Sequence, residues 1–178
     1  MSNVASLSVP VGPEDHSRGP EDAKHTLVEY GDYQCPYCGQ AHFIVERLLE
    51  TFSDSLRLVF RNLPLAEVHP HAEAAAEMAE ALGLQGKFWE MHDTLFENQR
   101  DLSEAALLRY AENVDADVTQ VHKDLADGGP RRRVEADFEG AIRSGANGTP
   151  TFFVNGVRYD GSWQYESFAE FLQAALNP

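Results

Sequence analysis

Both cysteines of this chain fall in one four-residue unit, Cys35-Pro36-Tyr37-Cys38, placed where an apolar strand gives way to a helix. Upstream, His25 to Tyr30 sets the β-formers Leu27, Val28 and Tyr30 between a polar segment and Gly31, the pattern of a short buried strand. Downstream, from Pro36 to about Phe52, the apolar residues Phe43, Ile44, Leu48 and Phe52 recur at spacings of three and four, which predicts a helix. Pro36 suits its first turn, where an amide hydrogen would have no intrahelical partner. Any fold for this chain must therefore bring a strand end, a tight loop and a helix N-terminus to one place, with two thiols on the first turn.

That placement has chemical consequences. Residues three apart on a helix hold their β-carbons about 5–6 Å apart, so this pair can close into a disulfide and reopen with little backbone movement. An ordinary cysteine, with a pKa near 8.5, is only about 3% thiolate at pH 7. The unpaired amides and macrodipole at the helix start stabilise the thiolate of Cys35, and Cys38, one turn further in, receives less. Cys35 is then the attacking thiol and Cys38 the resolving one.

A Cys-x-x-Cys unit is equally half of a zinc site, which would need two further ligands. His42, one turn beyond Cys38, and His69 or His71 are the nearest candidates in sequence. Simpler readings leave His42 as a solvated helix residue and His69-Pro70-His71 as a polar turn. The expectation is a redox pair with no metal.

Beyond the first helix, Leu56 to Leu63 reads as a second strand with Leu58 and Phe60 on one face, stopped by Pro64. From about Leu65 to Gly129 the periodicity is helical. Ala72, Ala75, Ala76, Ala79 and Leu82 make one stripe, and Phe88, Met91 and Leu95 make another. Ser103 can cap the next helix, with Leu102 and Leu107 as a hydrophobic staple, and a short helix follows from Asp117 to Asp127. Gly128, Gly129 and Pro130 interrupt the pattern before Val134, Phe138, Ala141 and Ile142 resume it. Thr151 to Val154 and Val157 to Tyr159 are β-rich runs joined by Asn155-Gly156, a tight-hairpin signal, and Tyr165, Phe168, Leu172 and Ala175 mark a final helix.

Composition excludes several classes. Fourteen Lys and Arg against 29 Asp and Glu give a formal charge of −15, which repels phosphate backbones and anionic lipid, so neither nucleic acid nor membrane insertion is expected. No apolar run approaches the roughly 18 residues of a spanning helix, and residues 1–24 read as a polar tail without the features of a secretory signal. A reducing cytoplasm is the expected compartment, where a lone cysteine pair is more often catalytic than a structural staple.

The segment Glu29-Tyr30-Gly31-Asp32-Tyr33-Gln34-Cys35-Pro36-Tyr37-Cys38 resembles the active-site segment of DsbA-like thioredoxin-fold oxidoreductases, and Gly148-Thr149-Pro150-Thr151-Phe152 resembles their cis-proline loop. The likeness runs from about His25 to Leu176. It implies an α/β fold: a thioredoxin-like core of mixed sheet flanked by helices (25–64 and 130–178) with an all-helical insertion (65–129). It also implies that Cys35 faces Pro150 across a substrate groove, where the Thr149 backbone pairs with an extended substrate and Pro36, Tyr37 and an exposed Tyr33 add to the lining. Glu29, which interrupts the apolar run of its strand, matches the buried acid that relays protons to the resolving thiol in that family. The implied activity is disulfide exchange with protein or peptide thiols, without a cofactor beyond the Cys35-Cys38 disulfide. Such oxidases are mostly exported, which leaves the direction of electron flow open. The alternatives are a glutathione-linked, glutaredoxin-like reductase, since Pro36-Tyr37 occurs there too, and, ranked below it, a zinc-binding interaction module. Composition and motifs do not address oligomeric state.

Overall fold

Residues 5–176 are described by a computed structural model. A five-stranded sheet of order β1-β3-β2-β4-β5 forms its centre, from β1 (His16–Arg18), β2 (His25–Gly31), β3 (Leu56–Asn62), β4 (Thr151–Val154) and β5 (Val157–Tyr159). β2 and β3 are parallel and the other pairs antiparallel, so the sheet is mixed. Parallel pairing needs a crossover, which α1 (Pro36–Thr51) supplies. The β4–β5 hairpin turns on Asn155 and Gly156, whose φ values of 50° and 81° are the left-handed pair that a two-residue turn requires.

Alternation along the strands sorts the core into two faces. Leu27, Leu58, Phe152 and Val154 pack with Ala41, Val45 and Leu48 of α1 and with Phe168 and Leu172 of α7 (Tyr165–Leu176). Val28, Tyr30, Val59 and Phe153 pack on the other side with Ala141 of α6 (Gly129–Arg143). Between β3 and α6 lie α2 (Ala72–Gly83), α3 (Phe88–Glu97), α4 (Glu104–Asn113) and α5 (Val118–Asp127). These four helices form the helical insertion, and their apolar faces make a third cluster that also takes in Tyr33, Cys35, Cys38 and Phe60. The buried side of the cysteine loop is thus part of the insertion's core. Ser103 caps α4 through its side chain, as its sequence position predicts, and Asp117 caps α5 in the same way.

Several expectations need correction. Part of the segment read as a tail is built into the fold: β1 adds to the sheet edge beside β3, and Asp15 grips Arg61 through two hydrogen bonds of 2.8 and 2.9 Å. A three-residue strand is too short to show a period, and its anchoring is ionic, so no apolar pattern announces it. On α1 the buried face is Cys38, Ala41, His42, Val45 and Leu48, whereas Phe43 is 56% exposed. A histidine on the core face hides the stripe from an apolar count and shifts the apparent phase by one residue. Phe138 and Ile142 of α6 are likewise exposed, and Val134, Asp137, Gly140 and Ala141 face inward. Gly128, with φ 73°, ends α5 and directly caps α6, so the interruption read at Gly128 to Pro130 is a single hinge residue.

Candidate active site

The loop after β2 sets the first cysteine. Asp32 is fully buried and accepts from the amides of Gln34 (2.7 Å) and Cys35 (3.1 Å) through Oδ1, and from the Leu65 amide and His69 Nδ1 (2.8 Å each) through Oδ2. One carboxylate therefore ties the cysteine loop to the segment after β3. Cys35 is the N-cap of α1, with extended backbone at φ −68° and ψ 122°, and Pro36 opens the helix as predicted. From beyond α3, the Gln99 carboxamide donates to the carbonyls of Tyr33 and Cys35, both at 2.8 Å. It passes so close to α1 that a methyl group at Gly39 would collide with it, which explains a helix-disfavouring residue there.

Both cysteines are free thiols, but their surroundings differ. Cys35 is 4% exposed and Cys38 is fully covered. The Cys35 thiol donates to the Thr149 carbonyl at 3.5 Å, and Thr149 joins Pro150 through a cis peptide bond, so the second predicted segment does meet the first. Hydrogen bonding from Cys38 brings Cys35 down to about 5 against the opposing effect of burial, helped by Thr149 and by the amides of Cys38 and Tyr37. Cys38 moves the other way. Burial pushes it well above the ordinary thiol range, reinforced by its hydrogen bond to Cys35 and by the charge of Glu29, although the Asp32 amide donates to its sulfur at 3.5 Å. The asymmetry expected from the helix start is present, sharpened by side chains the spacing could not reveal.

Glu29 is 2% exposed on β2, and its Oε1 is buried without a hydrogen-bond partner. It pairs with neither Arg57 nor Arg61: Arg57 reaches Thr26 and the Glu21 carbonyl, and Arg61 is taken by Asp15. Burial first, then repulsion from Cys35 and Glu46, raises its carboxyl to about 8.

Tyr37 is 62% exposed beside the pair, as expected of a groove residue. Tyr33 is not. It is 1% exposed, packed against Phe60 and Phe96, with its hydroxyl 3.0 Å from His92 Nδ1, so it props the loop from behind. His42 is also buried rather than solvated, and lies near His92 and Asp93 rather than among ligands shared with the cysteines. His71 is exposed, while His69 is the partner of Asp32. Asp32 stood inside the quoted motif without a role, and Gln99 and His92 carried no sequence signal at all.

A family profile described as Thioredoxin matches residues 12–174. The chain belongs to that thioredoxin family. Among solved structures, a thioredoxin-like oxidoreductase from Silicibacter pomeroyi is 28% identical and superposes with a TM-score of 0.83, covering 94% of this chain and 95% of that one. BdbD from Bacillus subtilis (23% identity, TM-score 0.84, 99% and 100% coverage) shares the thioredoxin fold, as does α-DsbA1 from Wolbachia pipientis (20%, 0.78, 94% and 92%). These neighbours are DsbA-like proteins, in agreement with the resemblance read from the two motifs. Curated relatives include a protein named Na(+)/H(+) antiporter NhaA 1 from Salinispora arenicola, 50% identical over 174 residues, which are 97% of this chain and 26% of that protein. The thioredoxin-family chain thus spans about a quarter of the length of such relatives.

Proposed function

We propose that this protein exchanges disulfides with protein or peptide thiols, Cys35 attacking and Cys38 resolving. The observation that carries the reading is the placing of the Cys35 thiol at the start of α1, against the cis Thr149-Pro150 peptide and one turn from Cys38, where its surroundings lower it to about 5 and raise Cys38. In the reducing direction the Cys35 thiolate attacks one sulfur of a substrate disulfide, forming a mixed disulfide and expelling a substrate thiolate. Cys38 then gives its proton to the Glu29 carboxylate and attacks the Cys35 sulfur. The second substrate thiolate leaves, the substrate has gained two electrons, and the enzyme holds the Cys35-Cys38 disulfide. Run backwards, the same steps oxidise a dithiol, with Glu29 returning the proton. No metal or organic cofactor is needed. Pro36 and Tyr37 on one side and Thr149 and Pro150 on the other border the sulfur, and the Thr149 main chain is placed to pair with an extended peptide.

Ion translocation, the activity in the names of the antiporter relatives, requires membrane-spanning segments, and no described helix is long and apolar enough to be one. The redox reading is assigned to the part of those relatives that this chain matches. Turnover of a disulfide-bonded peptide, assayed beside a glutathionylated peptide, tests it. Exchange with the peptide disulfide at least as fast as with the glutathionylated one supports the protein-thiol reading, and the reverse preference points to the glutaredoxin-like alternative.

Glu29→Gln is expected to slow Cys38 attack by about tenfold or more and to flatten its dependence on pH around 8, because the variant cannot take up the thiol proton. Quenched-flow resolution of a preformed Cys35 mixed disulfide between pH 6 and about 9 measures this. An unchanged profile removes Glu29 from the relay. A stability effect accompanies it. A carboxyl raised from 4.5 to about 8 on folding contributes fully below pH 4.5, and its contribution is lost as the pH rises through 8, so wild type loses stability across that window and the variant does not.

A further inference from the structure

We propose that His42, His92 and Asp93 bind one divalent first-row transition metal, pinning the cysteine-bearing helix α1 to α3 of the helical insertion. The three side chains offer one donor atom each, all within 4.8 Å of one another. A zinc ion about 2.0–2.1 Å from each donor sets neighbouring ligands about 3.4 Å apart, so closing the site asks for a shortening of at most about 1.4 Å per pair, within reach of side-chain rotation.

Three observations favour a ligand over packing alone. His42 is 5% exposed and stacked on Phe96 at 25° and 5.1 Å. Asp93 uses Oδ2 to hold Arg18 at 2.7 Å, while its Oδ1 is buried with no partner. His92 lies against the Tyr33 hydroxyl through Nδ1 at 3.0 Å; with that nitrogen donating to the Tyr33 oxygen, Nε2 keeps its lone pair, the outer-shell bond that metal-binding imidazoles usually make. An unsatisfied carboxylate oxygen and a buried imidazole thus lie beside an oriented one.

The surroundings suit a cation in other respects. Arg18 lies close by, and it is already paired with Asp93 and with Glu46, both at 2.7 Å. Glu97 adds negative charge near His42. Two imidazoles and a carboxylate favour zinc and its neighbours in the first row over magnesium or calcium, and three protein ligands leave a fourth position for water. The proposal stands apart from the redox reading, because neither cysteine is a ligand.

The test uses the full chain with Cys35 and Cys38 oxidised to their disulfide, so that thiolates cannot bind the probe. Calorimetric titration with zinc is expected to show one saturable site per chain, weakened tenfold or more in both His42→Phe, which keeps the stack on Phe96, and Asp93→Asn. Cobalt(II) added to the same oxidised wild-type protein, which needs no variant, is expected to give visible d–d bands without a sulfur charge-transfer band. No saturable zinc binding up to about 1 mM, a millimolar ceiling beyond which association is weaker than about 4 kcal/mol, overturns the proposal, as does binding undiminished in both folded variants.

Discussion

Cys35→Ser is expected to abolish disulfide exchange, lowering turnover about a thousandfold or more while leaving the fold intact. A serine hydroxyl is far from ionisation near neutral pH and cannot displace a thiolate from sulfur, so no slower version of the same reaction remains. The wild-type thiol, with its pKa of about 5, is almost wholly ionised at pH 7. The oxygen fits the space of the sulfur, and the Thr149 carbonyl that accepts from Cys35 can accept from a hydroxyl as well. Activity loss with an unchanged melting transition is therefore the expected pair of results. Full activity in this variant would mean that the chemistry lies elsewhere in the molecule.

Cys38→Ser should behave differently. The attacking thiolate remains, so the first exchange proceeds, but nothing internal can break the mixed disulfide. Incubated with a disulfide-bonded protein or peptide, this variant is expected to accumulate as a covalent adduct through Cys35, reaching close to one adduct per chain, whereas wild type shows only traces. Non-reducing electrophoresis followed by mass analysis reads this directly. Failure to form adducts while Cys35 still reacts with a small alkylating agent would argue against protein disulfides as substrates.

The features legible in the sequence were those written locally. Pro36 at the first helical position, the Asn155-Gly156 turn, the Ser103 cap and the β-rich runs of β2 and β3 each depend on neighbours a few residues away, and each stands where the local pattern puts it. So does the meeting of the cysteine loop with Thr149 and Pro150, although that came from the resemblance and not from any pattern in the chain. What escaped were residues whose roles depend on distant partners. Tyr33 looks like a groove residue until His92, 59 positions away, is seen to hold its hydroxyl. His42 looks solvated until α3 covers it, and Gln99 is one amide among many until it spans the carbonyls of Tyr33 and Cys35. The strand β1 was hidden because three residues carry no period and its neighbouring anchor is the Asp15–Arg61 ion pair.

Ultraviolet thiolate absorbance of the reduced protein, titrated through the acid range with Cys35→Ser as the blank, tests the central claim most directly. The arrangement of Cys38, Thr149 and the first amides of α1 around one sulfur predicts a single ionisation with a midpoint of about 5. A midpoint near 8.5, the value of an unassisted thiol, would contradict it.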